Sequence, residues 1–123
     1  MKKYLASIIV ALALTALPVW AALDINCLNW INDIPGITLT ERDIDDDDGT
    51  LEFEYLISSE QNYKEVVAGL QQRGWKIIRK KERFDCPGMP KLLMSNDEHM
   101  LELNVDVEHD FGRTSYELQI EIN

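Results

Sequence analysis

Strict alternation of apolar and polar residues in three segments limits the folds that this chain can adopt. Each segment has four apolar residues two positions apart: Leu51, Phe53, Tyr55 and Ile57; Leu101, Leu103, Val105 and Val107; and Tyr116, Leu118, Ile120 and Ile122. Successive side chains of a β-strand point to opposite faces of a sheet, so each segment predicts a strand with one apolar and one polar face. Such strands favour an antiparallel sheet with one face covered and the other open to water.

Three further segments have the composition of strands, although their patterns are less regular. Asp-Gly at the end of 45–49 predicts a hairpin before the strand that starts at Thr50, and residues 96–98 predict a second hairpin. The alternation in 75–84 fails after Ile78. The three additional strands are predicted at 37–44, 75–84 and 91–95.

Two helices are predicted in addition to the strands. The first covers 25–33, with Asp24 as its cap and Pro35-Gly36 after its end. The second covers 59–73 and has apolar residues at helical spacing, namely Tyr63, Val66, Val67 and Leu70. The predicted order is α-β-β-α-β-β-β-β, an α+β domain with a single antiparallel sheet and two helices on one face.

Residues 1–21 have the pattern of a cleaved signal peptide. Lys2 and Lys3 precede an apolar run over 4–17, and Val19-Trp20-Ala21 has the small residues of a cleavage site. The run of about 14 residues is short of the roughly 20 that span a bilayer, so stable membrane insertion is not expected. We therefore expect a single domain at 22–123 in the periplasm, with secretion as the alternative.

Export decides how the two cysteines, Cys27 and Cys86, are interpreted. Proteins in oxidising compartments commonly hold disulfides, so the sequence predicts that these residues pair. The bridge would close a loop of about 60 residues and stabilise the domain by roughly 4 kcal/mol. A redox or nucleophilic thiol is less favoured, because there is no Cys-x-x-Cys and no histidine near either cysteine in the sequence.

The net charge of the domain restricts its partners. Lys2 and Lys3 are two of the twelve basic residues of the chain, and all 22 acidic residues lie beyond residue 21, so 22–123 has a formal charge of −12. This charge argues against nucleic acid or anionic lipid as the main partner and would suit a basic partner.

Neither a catalytic nor a metal site is predicted. The sequence has no glycine-rich phosphate loop and no Gly-x-Ser-x-Gly motif, and its carboxylates lie on polar strand faces. The acidic run 43–48 does not match a calcium-binding helix–loop–helix, although weak calcium binding at this hairpin tip stays open. His99 and His109 would lie at opposite ends of one strand, about 30 Å apart, too far to share a metal. We expect a non-enzymatic protein without a cofactor.

Basic residues are concentrated in one segment. Six of the ten that follow residue 21 fall within eleven positions: Arg73, Lys76, Arg79, Lys80, Lys81 and Arg83. The favoured interpretation is that this strand pairs with acidic neighbours and protects a sheet edge from aggregation. The other is that an open sheet face with divided charge steers a protein partner.

These features favour a small exported module that binds another protein, possible examples being a periplasmic inhibitor or an immunity-type protein. The alternative is a periplasmic module that binds a small ligand or calcium. The candidate partner contacts are two apolar residues of the turn before residue 91 and three carboxylates of polar strand faces: Phe84, Met89, Glu102, Asp106 and Glu117. The apolar pair could equally belong to the core.

Overall fold

The structure is a computed structural model that describes residues 24–45 and 49–123. The predicted signal peptide and the tip of the first hairpin, residues 46–48, lie outside the described residues. The proposed calcium site at that tip is therefore outside them as well.

Within these ranges the chain forms six strands, one 3-10 helix and one α-helix. The strands are β1 Ile37–Asp45, β2 Thr50–Ile57, β3 Lys76–Lys81, β4 Lys91–Ser95, β5 Met100–Asp110 and β6 Arg113–Ile122. The 3-10 helix is Asn29–Asp33, and the α-helix, α1, is Glu60–Gln72.

All six strands form one antiparallel sheet in the order β1-β2-β6-β5-β4-β3. The hairpin β1–β2 makes one part of the sheet, and the continuous run β3–β4–β5–β6 makes the other. The two parts meet where β6 pairs with β2, with Tyr55 opposite Leu118. Helix α1 connects β2 to β3, which lies at the far edge. The prediction of a single antiparallel sheet is therefore confirmed.

The core lies on one face of this sheet, as the alternation predicts. The apolar positions of β2, β5 and β6 are buried, except that Val107 and Tyr116 are only partly so. Helix α1 packs on them through Tyr63, Val66 and Leu70, the last two of which have no exposed surface. Leu28 and Ile31 of the N-terminal segment complete this core.

The prediction of two helices is wrong, because 25–33 forms turns and a 3-10 helix. Its backbone bonds join residues three apart, for example from the Ile31 N–H to the Leu28 carbonyl at 3.0 Å. Asp24 Oδ1 accepts from the Asn26 N–H at 2.9 Å, as the predicted cap would, but the backbone bonds that follow still join residues three apart. A segment rich in Asn and Asp favours such local bonds over an α-helix.

The predicted disulfide is also absent, and both cysteines are free thiols. Burial, and secondarily the neighbouring Cys27, raises the pKa of Tyr55 on β2, so Cys27 lies beside that strand. Cys86 lies before β4, with its Sγ 3.6 Å from Asp85 Oδ1 and 3.8 Å from the Met89 carbonyl oxygen. Strands β2 and β4 are three spacings apart, roughly 14 Å, whereas bridged Cα atoms lie within about 7 Å.

Asn62 ties the start of α1 to the segment before β1. The helix begins after Ser59, and the buried Asn62 side chain accepts a hydrogen bond from the Ser58 N–H at 3.0 Å. Its amide donates to the Pro35 carbonyl at 3.0 Å. This one side chain therefore satisfies two backbone groups and fixes where the helix meets the sheet.

Further along α1, Gly69 allows close contact with Trp30. A Cβ atom at Gly69 would overlap the Trp30 ring. The guanidinium carbon of Arg73 lies 4.1 Å from the centroid of the same ring. The indole is thus held between the helix backbone and a cation, which joins the 3-10 helix to α1.

Both outer strands are irregular. The pairing of β1 with β2 shifts register between Leu39 and Glu41, and that of β3 with β4 shifts between Ile77 and Arg79. The second shift explains why the alternation fails after Ile78, since the extra residue of a bulge reverses the faces that follow.

Candidate functional site

The sheet face opposite α1 is densely acidic. In the described part of the chain, both helical segments pack on the other face and leave this one to solvent. Carboxylates project from β1, β2, β5 and β6 on this side, and we call eight of them the acidic face: Glu41, Asp43, Glu52, Glu54, Glu102, Asp106, Glu117 and Glu121. A shallow depression of about 200 Å³ lies among them.

Four of these carboxylates form one row across the sheet. Asp43 is opposite Glu52, Glu52 is opposite Glu121, and Glu121 is opposite Glu102. Neighbouring strands are roughly 4.8 Å apart, so the row places four like charges within roughly 15 Å. Like charges directly opposite each other destabilise a sheet, by an amount similar to what opposite charges contribute.

Glu54, in the next row, shows the effect of this crowding on a single group. It is opposite Glu41 of β1 and Gln119 of β6. Its pKa is raised, chiefly by partial loss of solvent, then by Glu117 and Glu41. The acidic face therefore holds a carboxylate whose charged form is disfavoured in the free protein.

Two amides lie in the centre of the acidic face. The Gln119 side chain donates to Asp106 at 2.9 Å and to Glu117 at 3.1 Å, which fixes the orientation of both carboxylates. Asn104 accepts from the Arg83 guanidinium at 2.6 Å. The central carboxylates thus have defined positions in the free protein.

The other side of the same sheet face is basic. Lys76, Arg79 and Lys81 of β3 project there, next to Lys91 of β4. Of these four cations, Lys91 forms an ion pair with the acidic face, with its Nζ 3.5 Å from Glu102 Oε2. Among the described residues, the three β3 side chains make no ion pair.

The expectation that the basic strand pairs with acidic neighbours is therefore wrong for β3. Strand β4 lies between β3 and the acidic strand β5, and its own residues there are Lys91, Leu93 and Ser95. The expectation that this strand forms a sheet edge is confirmed.

The structure separates the predicted contacts into two groups. Glu102, Asp106 and Glu117 lie together on the acidic face. Phe84 lies in the β3–β4 loop and is fully exposed, whereas Met89 of the same loop is 3 % exposed and belongs to the core. Met89 therefore offers no surface to a partner in this structure.

Arg83 holds the β3–β4 loop against the sheet beside Phe84. Its guanidinium donates to Asp85 at 2.9 and 3.1 Å, to the Asn104 side chain and to the Val105 carbonyl. The bond from Arg83 keeps the pKa of Asp85 below its usual value. Phe84 is thus exposed on a loop whose preceding residue is fixed to β5.

A second exposed aromatic residue, Phe111, lies in the predicted turn 110–113 but was not among the predicted partner contacts. It is 95 % exposed at the tip of the β5–β6 hairpin, and its φ of 50° is in the left-handed region, as is that of Gly112. This hairpin extends beyond the last β2 pair, Ile57 with Tyr116. A two-residue hairpin turn of this kind usually has the sequence Asn-Gly. Phe-Gly between two alternating segments was therefore the sequence signal that a phenylalanine occupies the tip of a hairpin.

The described residues contain no group of three or more His, Cys, Asp or Glu side chains that could hold a metal ion. The two histidines are far apart: His99 Nδ1 is 3.2 Å from the carbonyl oxygen of Asn123, and His109 Nδ1 is 3.0 Å from Thr114 Oγ1. Burial raises the pKa of both Cys27 and Cys86, which disfavours their reactive thiolates.

No helix among the described residues has the length and apolar character needed to cross a membrane. Comparisons with models of protein families, with curated proteins and with solved structures find no match for this chain.

Proposed function

We propose that this protein binds the basic surface of another exported protein through its acidic face, and that it acts without catalysis as an inhibitor or immunity-type factor. The observation that carries the proposal is the row of four directly opposed carboxylates on a sheet face without a covering helix. The proposal includes export by the predicted signal peptide and a periplasmic partner.

Charge crowding gives a physical reason for binding. Lysine or arginine side chains of a partner would remove the repulsion between opposed carboxylates, so part of the binding free energy comes from relief of an unfavourable free state. The charge of −12 on residues 22–123 would also attract a basic protein at long range and increase its association rate.

The acidic face is smaller than one side of a standard protein interface. Four strands are roughly 19 Å wide, and eight residues of strand are roughly 27 Å long, which gives roughly 500 Å². Standard protein interfaces bury about 800 Å² on each side. We infer that the contact extends beyond the acidic face, and the exposed Phe84 provides an apolar contact next to the fixed Arg83.

The proposed inhibitor role rests on the kind of protein that such a face complements. Enzymes that act on anionic cell-wall or nucleic-acid polymers have basic clefts, because their substrates are negatively charged. A rigid acidic sheet would compete with the substrate for such a cleft.

The test is a pulldown from periplasmic extract at low and high salt, with three forms of the protein as bait. These are the wild type, the triple variant Glu52→Gln/Glu54→Gln/Glu117→Gln, and Glu98→Gln as the matched control. Glu98 is exposed in the β4–β5 turn, away from the acidic face.

We expect a basic protein to be retained at low salt by the wild type and the control, and to be lost with the triple variant. Its catalytic activity, if it is a hydrolase, should decrease when the wild type is added. Retention of no protein, or equal retention by all three baits, would contradict the proposal.

A further inference from the structure

The basic side of the open sheet face contains a cleft between β3 and β4. A depression of about 240 Å³ is lined by Arg79, Lys81, Lys91, Leu93 and Glu102. A second depression of about 240 Å³ adjoins it, sharing Lys81 and Lys91 and adding Arg83 and Asn104. We call the two together the cationic cleft.

We propose that the cationic cleft binds the phosphate group of a phosphate monoester. The cleft borders the acidic face at Glu102, and the inference does not rest on the proposed function.

The first argument is that two of the four cations of the cleft lack side-chain partners in the described part of the chain. Arg79 and Lys81 make no hydrogen bond or ion pair with other side chains among the described residues. Lys81 is directly opposite Lys91, and such a like-charge pair destabilises the sheet until an anion lies between the two ammonium groups. Arg79 and Lys81 therefore have no carboxylate partner among the described residues, although the domain has a large excess of carboxylates.

The second argument concerns geometry and donor type. The Arg79 guanidinium can donate two parallel hydrogen bonds to an oxyanion, and Lys81 supplies a movable charge beside it. Lys91 is held only by an exposed ion pair with Glu102, which contributes little and can rearrange. Arg83 is already bonded to Asp85 and to β5, so it contributes fixed positive charge at one end.

The third argument favours an ester over a bare ion or a polymer. Leu93 lies between Glu102 and Arg79 on the same face and is half-buried, so the cleft has an apolar floor. The depression that Leu93 lines has the volume of roughly eight waters, which leaves room for an organic group next to the phosphate. The Glu102 carboxylate borders the cleft toward β5, and it would repel a polyanion that continued across the sheet.

The test is an amide NMR titration of the purified protein with phenyl phosphate. We expect saturable shifts confined to amides of β3 and β4, and weaker binding of inorganic phosphate, which cannot contact Leu93. Arg79→Gln and Lys81→Gln should each weaken binding about tenfold, whereas Lys81→Arg should restore most of it. Lys64→Gln is the matched control, because Lys64 is an exposed cation of α1 that pairs with Glu60 at 3.1 Å.

Three outcomes would overturn the proposal: shifts that never saturate, shifts that sodium chloride reproduces at equal ionic strength, or equal binding by Arg79→Gln, Lys81→Gln and the wild type.

Phosphatidylcholine vesicles with and without phosphatidic acid distinguish the source of the phosphate. Binding to phosphatidic acid in addition would identify a lipid headgroup as a source, and binding of phenyl phosphate alone would identify a free ester. The triple variant of the acidic face should bind phenyl phosphate as the wild type does, so each proposal can fail separately.

Discussion

Replacing Glu54 by glutamine is expected to make the protein more stable at neutral pH. Glu54 is opposite Glu41, and Glu117 of the neighbouring strand raises its pKa further. Each like-charge contact costs roughly 0.2–1 kcal/mol, so removing the charge at Glu54 should raise the free energy of unfolding by about 1 kcal/mol. With an m-value of about 1.5 kcal/mol/M, the urea midpoint should rise by roughly 0.7 M.

The pH dependence of this gain follows from the direction of the pKa shift. Because the pKa of Glu54 is higher in the folded state, its favourable contribution is complete below the unfolded pKa, about 4.3, and is lost as the pH rises through the folded value. The difference between Glu54→Gln and the wild type should therefore be near zero at about pH 3.5 and largest near pH 7. High salt should reduce it, since exposed charges are then screened.

Urea unfolding at several pH values measures this effect, with Glu108→Gln as the control. Glu108 projects from the same sheet face but is opposite Ser115, so its replacement should change stability by less than about 0.5 kcal/mol. The reasoning would be refuted if Glu54→Gln were no more stable than the wild type at pH 7, or if Glu108→Gln gained as much. Under the proposed function, Glu54→Gln should also bind a basic partner more weakly, so stability and binding would change in opposite directions.

Three further predictions concern the core and the thiols. Gly69→Ala should destabilise the protein by about 1–3 kcal/mol in urea unfolding, because the added methyl group overlaps Trp30; a neutral or stabilising effect would contradict this contact. Asn62→Ala should cost about 1–3 kcal/mol in the same assay, since it removes the two hydrogen bonds to the Ser58 N–H and the Pro35 carbonyl, and an unchanged midpoint would argue against the observed bonds. Dithiothreitol should leave the melting temperature unchanged, and alkylation after unfolding without reductant should label both Cys27 and Cys86; a mass that showed no labelling would indicate a disulfide.

The sequence predicted the faces of the strands better than the neighbours of each strand. Alternation assigned Glu102 and Glu117 to the polar face, and the structure places them there. It could not predict that β6 lies between β2 and β5, because side-chain periodicity contains no information on strand order. The row from Asp43 to Glu102 depends on that order, so the central feature of the candidate site was not predictable.

Three further features of the structure differ from the sequence predictions or could not be predicted: the N-terminal helix, the disulfide, and the burial of one loop residue. The apolar spacing of 25–33 fits a helix, but asparagine and aspartate have low helix propensity, and the backbone bonds of this segment join residues three apart. Two cysteines in an exported chain favour pairing as a general rule, yet Cys27 and Cys86 are both free thiols in the structure. Composition alone could not show whether Met89 or Phe84 of one loop would be buried.

The position of β6 has a consequence for how the chain assembles. Synthesis proceeds from the N-terminus, so β2 is made long before the strand that pairs with its second edge. Until β6 arrives, the first hairpin presents an unpaired edge with Phe53 and Tyr55 uncovered, and α1 has only part of the surface on which it packs. The last ten or so residues therefore close the sheet, and a chain cut before Arg113 would leave two separate fragments of sheet instead of a shortened domain.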